Sequence, residues 1–359
     1  MLAGFQRVPG IDVAPLAPAV LFEPARAAER LALRRDQFLP YLHQPGRRTL
    51  RLLRRLAPDL VHAHFGYDAV LVADAARACG VPLVVTLHGT DVLRDWRRWA
   101  SGDEGFFFRF YPAKMRALFA DPQVHFIAVS EALRQAAIRQ GAPAQRLHLA
   151  YTGIDVERFA PVERRRQGPP TVLFVGRLVA FKGCEVLVRA MAEVQRRVPE
   201  ARLVVAGEGP LRPELEALAA SLGVTAAFLG QVDQPGVVRL LGEAAAFCLP
   251  SLTEKDGVFE AFGMVMLEAQ AAGVPVVTSA RAGAEAIVDG TTGYLFPERD
   301  VAALATILEG LCAEPGRAAA MGAAASEHVR ARFDVRDCSR AVEDIYDAVA
   351  QRRPGAAGE

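Results

Sequence analysis

At 359 residues the chain is long enough for two domains, each able to bury a core of its own. Its 52% hydrophobic and 23% charged residues exclude a disordered chain and a small disulfide scaffold. With 42 basic against 41 acidic side chains, a global electrostatic grip on nucleic acid is excluded too. The balance hides an asymmetry. The first 160 residues carry 21 basic and 15 acidic side chains, a net of +6; the remainder carries 21 and 26, a net of −5. Two domains facing different partners follow from that split.

From Arg47 onward, short β-branched runs alternate with Ala/Leu/Arg-rich stretches. The pattern predicts helix over Arg47–Leu56, strand over Leu60–Ala63 and helix over Ala69–Ala78. Strand follows at Pro82–Leu87, helix at Gly105–Ala120, strand at His125–Val129 and helix at Ser130–Gln140, with Ser130 as its cap. Arg164–Pro170 (RRRQGPP) breaks the composition and reads as a linker. The alternation then restarts. Thr171–Gly176, Arg202–Ala206, Ala226–Leu229, Ala246–Leu249 and Pro275–Thr278 read as strands. Glu185–Arg197, Leu211–Ser221, Val301–Leu311 and Ala331–Ala350 read as helices. Strands alternating with helices argue for parallel sheets covered on both faces, hence two doubly wound α/β domains. The expected division is 1–160, 161–335 and a C-terminal helix with tail over 336–359. Cys79, Cys184, Cys248, Cys312 and Cys338 are scattered and show no metal spacing, as in a reduced cytosolic protein. No apolar run reaches the ~18 residues of a membrane span, and no signal peptide is expected.

Ligands of open α/β sheets bind beyond the carboxyl ends of the strands. Three sets of residues stand there. Gly176-Arg177-Leu178-Val179-Ala180-Phe181-Lys182-Gly183 follows an apolar strand and opens a helix. Two cations at a helix N-terminus favour phosphate, although two solvated cations on a loop would read the same way. The spacing matches neither a Walker loop nor GxGxxG. Next comes Glu260-Ala261-Phe262-Gly263-Met264-Val265-Met266-Leu267-Glu268. From Gly263 to Ala272 only Glu268 and Gln270 are polar, so that helix is buried. A carboxylate there must be paired or hydrogen-bonded. A ribose diol would satisfy Glu268; a backbone group or an arginine would do as well. His88, in Thr86-Leu87-His88-Gly89-Thr90-Asp91, sits where a strand meets a glycine turn, as a ligand contact or as a structural histidine. His62 and His64 share one face of a strand, but no third metal ligand has suitable spacing. Gly207-Glu208-Gly209-Pro210, Phe228-Leu229-Gly230-Gln231 and Ala282-Gly283-Ala284-Glu285 also follow strands.

Together these motifs resemble the retaining glycosyltransferases of family 4, which have the GT-B fold. The carriers are GRLVAFKG, GEGP, Glu260-x7-Glu268 within PSLTEKDGVFEAFGMVMLEAQAAGVPVV, and GAEAIVDGTTGYLFPERD. In the first half they are DLVHAHFGYDA, VVTLHGTD, FIAVSEALRQ and YTGIDVERFAP. The first-half motifs resemble the branch that builds exopolysaccharides such as colanic acid. The resemblance spans about Arg47 to Ala350. It implies two Rossmann-like domains facing across a cleft, with the final helix crossing back onto the first. It also implies transfer of a sugar from a nucleoside-diphosphate sugar to a glycan or lipid-linked glycan acceptor, with retention. Arg177 and Lys182 would hold the diphosphate, and Glu268 the ribose. Glu260, with the backbone of Phe262, Gly263, Met264 and Val265, would position the donor. His88 would reach the donor sugar. Gly176, Gly209, Leu229 and Gly230 would line the nucleotide site. Electrostatic support of the leaving diphosphate would then supply much of the catalysis, and closure of the domains would exclude water. No metal and no cofactor are expected.

The sequence departs from that family in places. Met1–Pro45 shows no strand followed by a Gly-rich loop, so the first βα unit is expected to be missing or replaced, with Val13–Phe22 at most an edge strand. Ala261 and the Gly283–Glu285 segment replace residues more usual there. A catalytically silent nucleotide-sugar-binding scaffold of a polysaccharide assembly complex is the alternative. Arg47–Leu56 is a basic amphipathic helix, and Trp96–Trp99 and Phe106–Phe110 mix aromatics with arginine. That combination fits a surface resting on anionic lipid, and hence a cytoplasmic protein at the inner face of the membrane; a solvated helix and an ordinary core fit it equally.

Overall fold

Among the described residues the chain forms ten parallel strands in two sheets, each strand followed by a helical crossover or a short turn. The computed structural model describes residues 46–101, 108–160, 168–281 and 283–351. The edge strand expected at Val13–Phe22, the phenylalanines Phe106 and Phe107 and most of the expected linker lie outside them. The chain divides into two compact units, Met1–Tyr151 with Cys338–Glu359, and Thr152–Asp337.

In the first unit β1 (Val61–His64), β2 (Leu83–Leu87), β3 (Val124–Ala128) and β4 (Leu147–Leu149) pair in that order, all parallel. Every residue of β2 and β3 is buried, as strands covered on both faces must be. β4 is short, and the sequence pattern gives no sign of it. The helix Val335–Ala350 seals one face. Its Val342 and Val349 pack with Val84, Ile127 and Ala150. Trp96 and Trp99 correct the surface reading of their segment: both are buried, with Tyr111 at 4.6 Å from Trp99. The helix expected from Gly105 runs from Tyr111 to Ala120, with Pro112 in its first turn, where a missing N–H costs nothing.

In the second unit β5 (Thr171–Val175), β6 (Arg202–Ala206), β7 (Ala226–Gly230), β8 (Ala246–Leu249), β9 (Val276–Ser279) and β10 (Gly293–Phe296) form one parallel sheet in the order β10-β9-β8-β5-β6-β7. The chain builds outward from β5 to β6 and β7, then returns to lay β8 on the other side of β5. The topological switch point therefore lies between β5 and β8, where open α/β sheets hold their ligands. The stretch expected as a helix over Ala331–Ala350 is two helices, Pro315–Arg332 and Val335–Ala350. They break at Phe333 and Asp334, where Ile154 pairs with Asp334 and the Asp334 carboxylate accepts the Arg336 N–H at 2.8 Å.

Candidate active site

The loops after β5 and β8 meet at the switch point. Gly183 closes the turn Ala180–Lys182 and opens the helix Cys184–Arg197 at φ +69, where a side chain is strained. It also lies against the Pro250 carbonyl, and a Cβ there would stand 2.8 Å from the Pro250 carbonyl carbon. The Leu252 N–H donates to the Phe181 carbonyl at 2.6 Å. This contact holds Lys182 beside the loop that carries Glu260, and the Lys182 ammonium pairs with Glu260 Oε2. Both partners are part-buried and keep some access to solvent, and the ammonium also lies 5.1 Å from the Phe181 ring centre. Arg177, in the same loop, is exposed and has no ion-pair partner among the described residues.

Glu268 sits in the second turn of the helix Met264–Ala271. Among the described residues its carboxyl accepts no hydrogen bond, so neither structural alternative, a backbone group or an arginine, is observed. Burial pushes its pKa up to about 7, with Arg158 pulling weakly the other way. Gly263 opens this helix, leaving the Met264 and Val265 N–H groups in the first turn, where helices lack internal acceptors. Phe262 is buried, and the Gly283 turn packs against its carbonyl. Gly176, Gly209 and Gly230 come together through the backbone. The Gly176 N–H donates to Ala206 O at 3.0 Å, Leu178 N–H to Glu208 O at 2.9 Å, and Gly207 N–H to Gly230 O at 2.7 Å. Leu229 beside them is 47% exposed, a large apolar side chain on the same rim. Glu298 was not legible as a site residue. Its carboxylate accepts the Thr253 N–H at 3.0 Å and hydroxyl at 2.6 Å, fixing the long loop that leads to Glu260.

His88 belongs to the first unit. It follows β2 beside His64, with His64 Nδ1 and His88 Nε2 3.0 Å apart. His62 lies 4.4 Å from His64, ring centre to centre, bonds Thr86 Oγ1 at 2.7 Å and meets the Tyr346 hydroxyl of the final helix. Burial and the neighbouring imidazoles hold His62 at a pKa of about 3 and His88 at about 4, so both are neutral near pH 7. Fully buried Asp91 accepts the N–H groups of Gly66 (3.2 Å), His88 (3.2 Å) and Gly89 (2.9 Å), binding the ends of β1 and β2 to one carboxylate. Sequence reasoning missed this role for Asp91, although it stands three residues after His88. Among the described residues no group of three or more His, Cys, Asp or Glu is arranged around a metal position.

The profile of glycosyltransferase family 4 matches residues 6–158, and that of glycosyl transferases group 1 matches residues 155–328. A glycogen synthase of Mycobacterium tuberculosis is 32% identical over 308 residues, covering 84% of this chain and 72% of the relative. The chain is a family 4 glycosyltransferase. A D-inositol 3-phosphate glycosyltransferase of Kribbella flavida is 31% identical over 76% of this chain and 67% of its own. Among solved structures, Anabaena HepE in complex with UDP and glucose superposes with a TM-score of 0.68 at 23% identity, covering 84% of this chain and 81% of that one. A glycosyltransferase from Rickettsia africae gives 0.70 at 17% identity, over 95% and 84%. These likenesses establish the GT-B fold. The glycosyltransferase thus carries its Lys182–Glu260 pair at the switch point of one parallel sheet and its histidine cluster at the carboxyl edge of the other.

Proposed function

We propose that this enzyme moves a sugar from a nucleoside-diphosphate sugar to a glycan or lipid-linked glycan acceptor, with retention and without a metal, in the assembly of a polysaccharide. The observation that carries the reading is the convergence at the switch point. Two cations on the loop after β5, a helix N-terminus and a half-buried, unbonded carboxylate in that helix meet where backbone contacts join this loop to the one after β8. That set matches the pieces of a nucleoside-diphosphate sugar. Arg177 and Lys182 take the diphosphate, supported by the Met264 and Val265 N–H groups. Glu268 accepts the ribose hydroxyls, and Leu229 with the Gly230 backbone lies at the base. Glu260 shares Lys182 in the free enzyme and turns to the donor sugar when the phosphates engage the ammonium. His88, neutral, offers a hydrogen bond to that sugar. As the glycosyl bond breaks, the cations stabilise charge on the departing diphosphate, whose oxygen takes the acceptor proton on the same face. The relatives use different donors. One is named as GDP-mannose-dependent, and Anabaena HepE was solved with UDP-glucose, so uracil and guanine nucleotides are the first to try.

The reading also places the enzyme at an anionic membrane surface. Arg51, Arg54 and Arg55 are exposed on the helix Arg47–Leu56, and Leu56 beside them is 41% exposed. Charge reversal of these three arginines should release the protein from phosphatidylglycerol vesicles.

A thermal-shift series with UDP, GDP, ADP and NAD, with and without EDTA, tests the donor assignment. A ligand at about 100 times its Kd stabilises by ~2.7 kcal/mol. One nucleoside diphosphate should raise the melting midpoint by a few degrees, EDTA should leave the shift intact, and Glu268→Ala should abolish it. A shift with NAD alone, or one that survives Glu268→Ala, overturns the assignment.

A further inference from the structure

Three non-glycine residues described here have positive φ: Ala57, Phe65 and Arg299. Ala57, at φ 44 and ψ 51, is an ordinary left-handed helix end. Phe65 is different. At φ 70 and ψ 146 it occupies a region open almost only to glycine, and it does so at the carboxyl end of β1. The surrounding structure keeps it there. Its N–H donates to Thr86 O at 2.9 Å, and its carbonyl accepts the Ala69 N–H at 3.2 Å. The next N–H, of Gly66, is held by Asp91 at 3.2 Å. Gly66 has no room on its inner side, since even a Cβ there would meet the Tyr111 hydroxyl and Met115 Sδ, both buried.

Strain fixed from both sides implies a use for the side chain it aims. The Phe65 ring is 37% exposed, 4.5 Å from the His88 ring and 6.0 Å from Tyr67. The His64–His88 contact uses one nitrogen of each imidazole. The other nitrogen of each has no hydrogen-bond partner among the described residues, and a neutral imidazole offers a donor on one nitrogen and an acceptor on the other. The result is an exposed aromatic face bordered by uncharged donors and acceptors. Among the described residues a phosphate or carboxylate finds no cation in this cluster. With the free His88 nitrogen given to the donor sugar, a second pyranose still finds a flat surface for its C–H face and the free His64 nitrogen for a hydroxyl.

We infer that Phe65 is the stacking platform for the acceptor sugar and sets which acceptors the enzyme takes. The inference rests on the proposed function, because it assigns the donor sugar to the neighbouring His88.

The test uses methyl α-D-glucopyranoside, methyl β-D-galactopyranoside and methyl α-D-mannopyranoside as probes. Saturation-transfer-difference NMR is run with UDP and with GDP present, on the native protein, Phe65→Gly and Phe65→Trp. Glycine accepts this backbone, so Phe65→Gly should melt no lower than the native protein while lacking the ring. At least one glycoside should bind the native protein, with saturation and upfield shifts concentrated on the ring C–H protons of one face. Phe65→Gly should weaken that binding roughly tenfold, the upper range for one aromatic contact, and Phe65→Trp should retain it. Equal binding by Phe65→Gly overturns the inference, as does failure of all three glycosides to bind the native protein. Nucleotide thermal shifts in the same samples keep the two readings apart. A shift retained by Phe65→Gly leaves the donor site standing whatever the sugar result, and no shift in the native protein removes the donor assignment itself.

Discussion

Lys182 and Glu260, separated by 78 residues, form an ion pair that spans the switch point of the six-stranded sheet. The two loops they occupy are already joined by the Gly183–Pro250 packing and the Leu252–Phe181 hydrogen bond, so the pair is held by the fold and does not itself hold it. Lys182→Ala should therefore cost the fold about 1 kcal/mol or less, the usual range of a solvent-reachable pair. Its effect on transfer should be much larger, about 10²–10³ in kcat/KM, the scale for deleting one group that supports developing charge. Urea midpoints and initial rates with the nucleotide-sugar that the thermal shifts identify give both numbers. Comparable losses in stability and in rate would make Lys182 a structural residue.

Glu268 supplies a pH signature. Burial raises its carboxyl from 4.5 to about 7, so the folded protein holds a proton that the unfolded chain has already released. Stability should fall as pH rises from about 4.5 to 7 and level off above that, by up to ~3 kcal/mol. Glu268→Gln, which cannot ionise, should lose this slope and be the more stable protein at pH 8. Urea unfolding at pH 5 and pH 8 measures the difference. Ribose hydroxyls donating to the carboxylate offset part of the penalty, so nucleoside diphosphate should stabilise the native protein more than the Gln variant. Parallel stability curves for the two proteins would contradict this account.

Much of the fold is written in local pattern. Arg202–Ala206 and Ala246–Leu249 are strands at the limits their apolar runs define, and Ser130 caps its helix through the Leu133 N–H at 3.2 Å. What the pattern does not carry is set by tertiary contact. Leu147–Leu149 becomes a strand because β3 offers it an edge, and Trp96–Trp99 turns inward because Tyr111 is there to receive it. The candidate site divides the same way. Glycines and charges after strands mark Lys182, Glu260 and Glu268. Nothing in the sequence announces that Asp91 gathers three N–H groups, that Glu298 fixes the Thr253 loop, or that Phe65 has positive φ, because each depends on segments brought together by folding.

The histidine cluster should make the first unit sensitive to acid. His62 and His88 have pKa values lowered from 6.5 to about 3 and about 4, so the unfolded chain binds protons that the folded one refuses. Stability is therefore intact above pH 6.5 and declines as pH falls towards 4. At pH 5 each of the two histidines costs about 2 kcal/mol relative to neutral pH. His62→Gln keeps a hydrogen-bonding side chain beside Thr86 and Tyr346 without a titrating ring, and should flatten the acid limb by about that amount. Chemical denaturation between pH 4.5 and 7.5 makes the comparison. An acid limb of unchanged steepness in His62→Gln would show that the cluster takes up its protons without resistance.

Gly183 gives the most direct test of how the fold positions the diphosphate loop. At φ +69, with the Pro250 carbonyl against its Cα, the residue has room for a hydrogen only. Gly183→Ala adds backbone strain, itself about 1–3 kcal/mol, and a collision with backbone that cannot rotate away. The strand β5 and the helix Cys184–Arg197 are both anchored by buried side chains, so the structure should yield at the loop between them. Lys182 then separates from Glu260, and the cation leaves the position that faces the phosphates. The expected outcome is a fall of several degrees in melting midpoint together with loss of the nucleoside-diphosphate shift. Gly223→Ala is the control: it has the same φ of +69 at the end of the helix Arg212–Ser221, and an added Cβ meets nothing within 4 Å. It should show the strain in its midpoint and keep the nucleotide shift. Equal nucleotide shifts in the two variants would separate the loop's packing from its binding and refute the link between Gly183 and the position of Lys182.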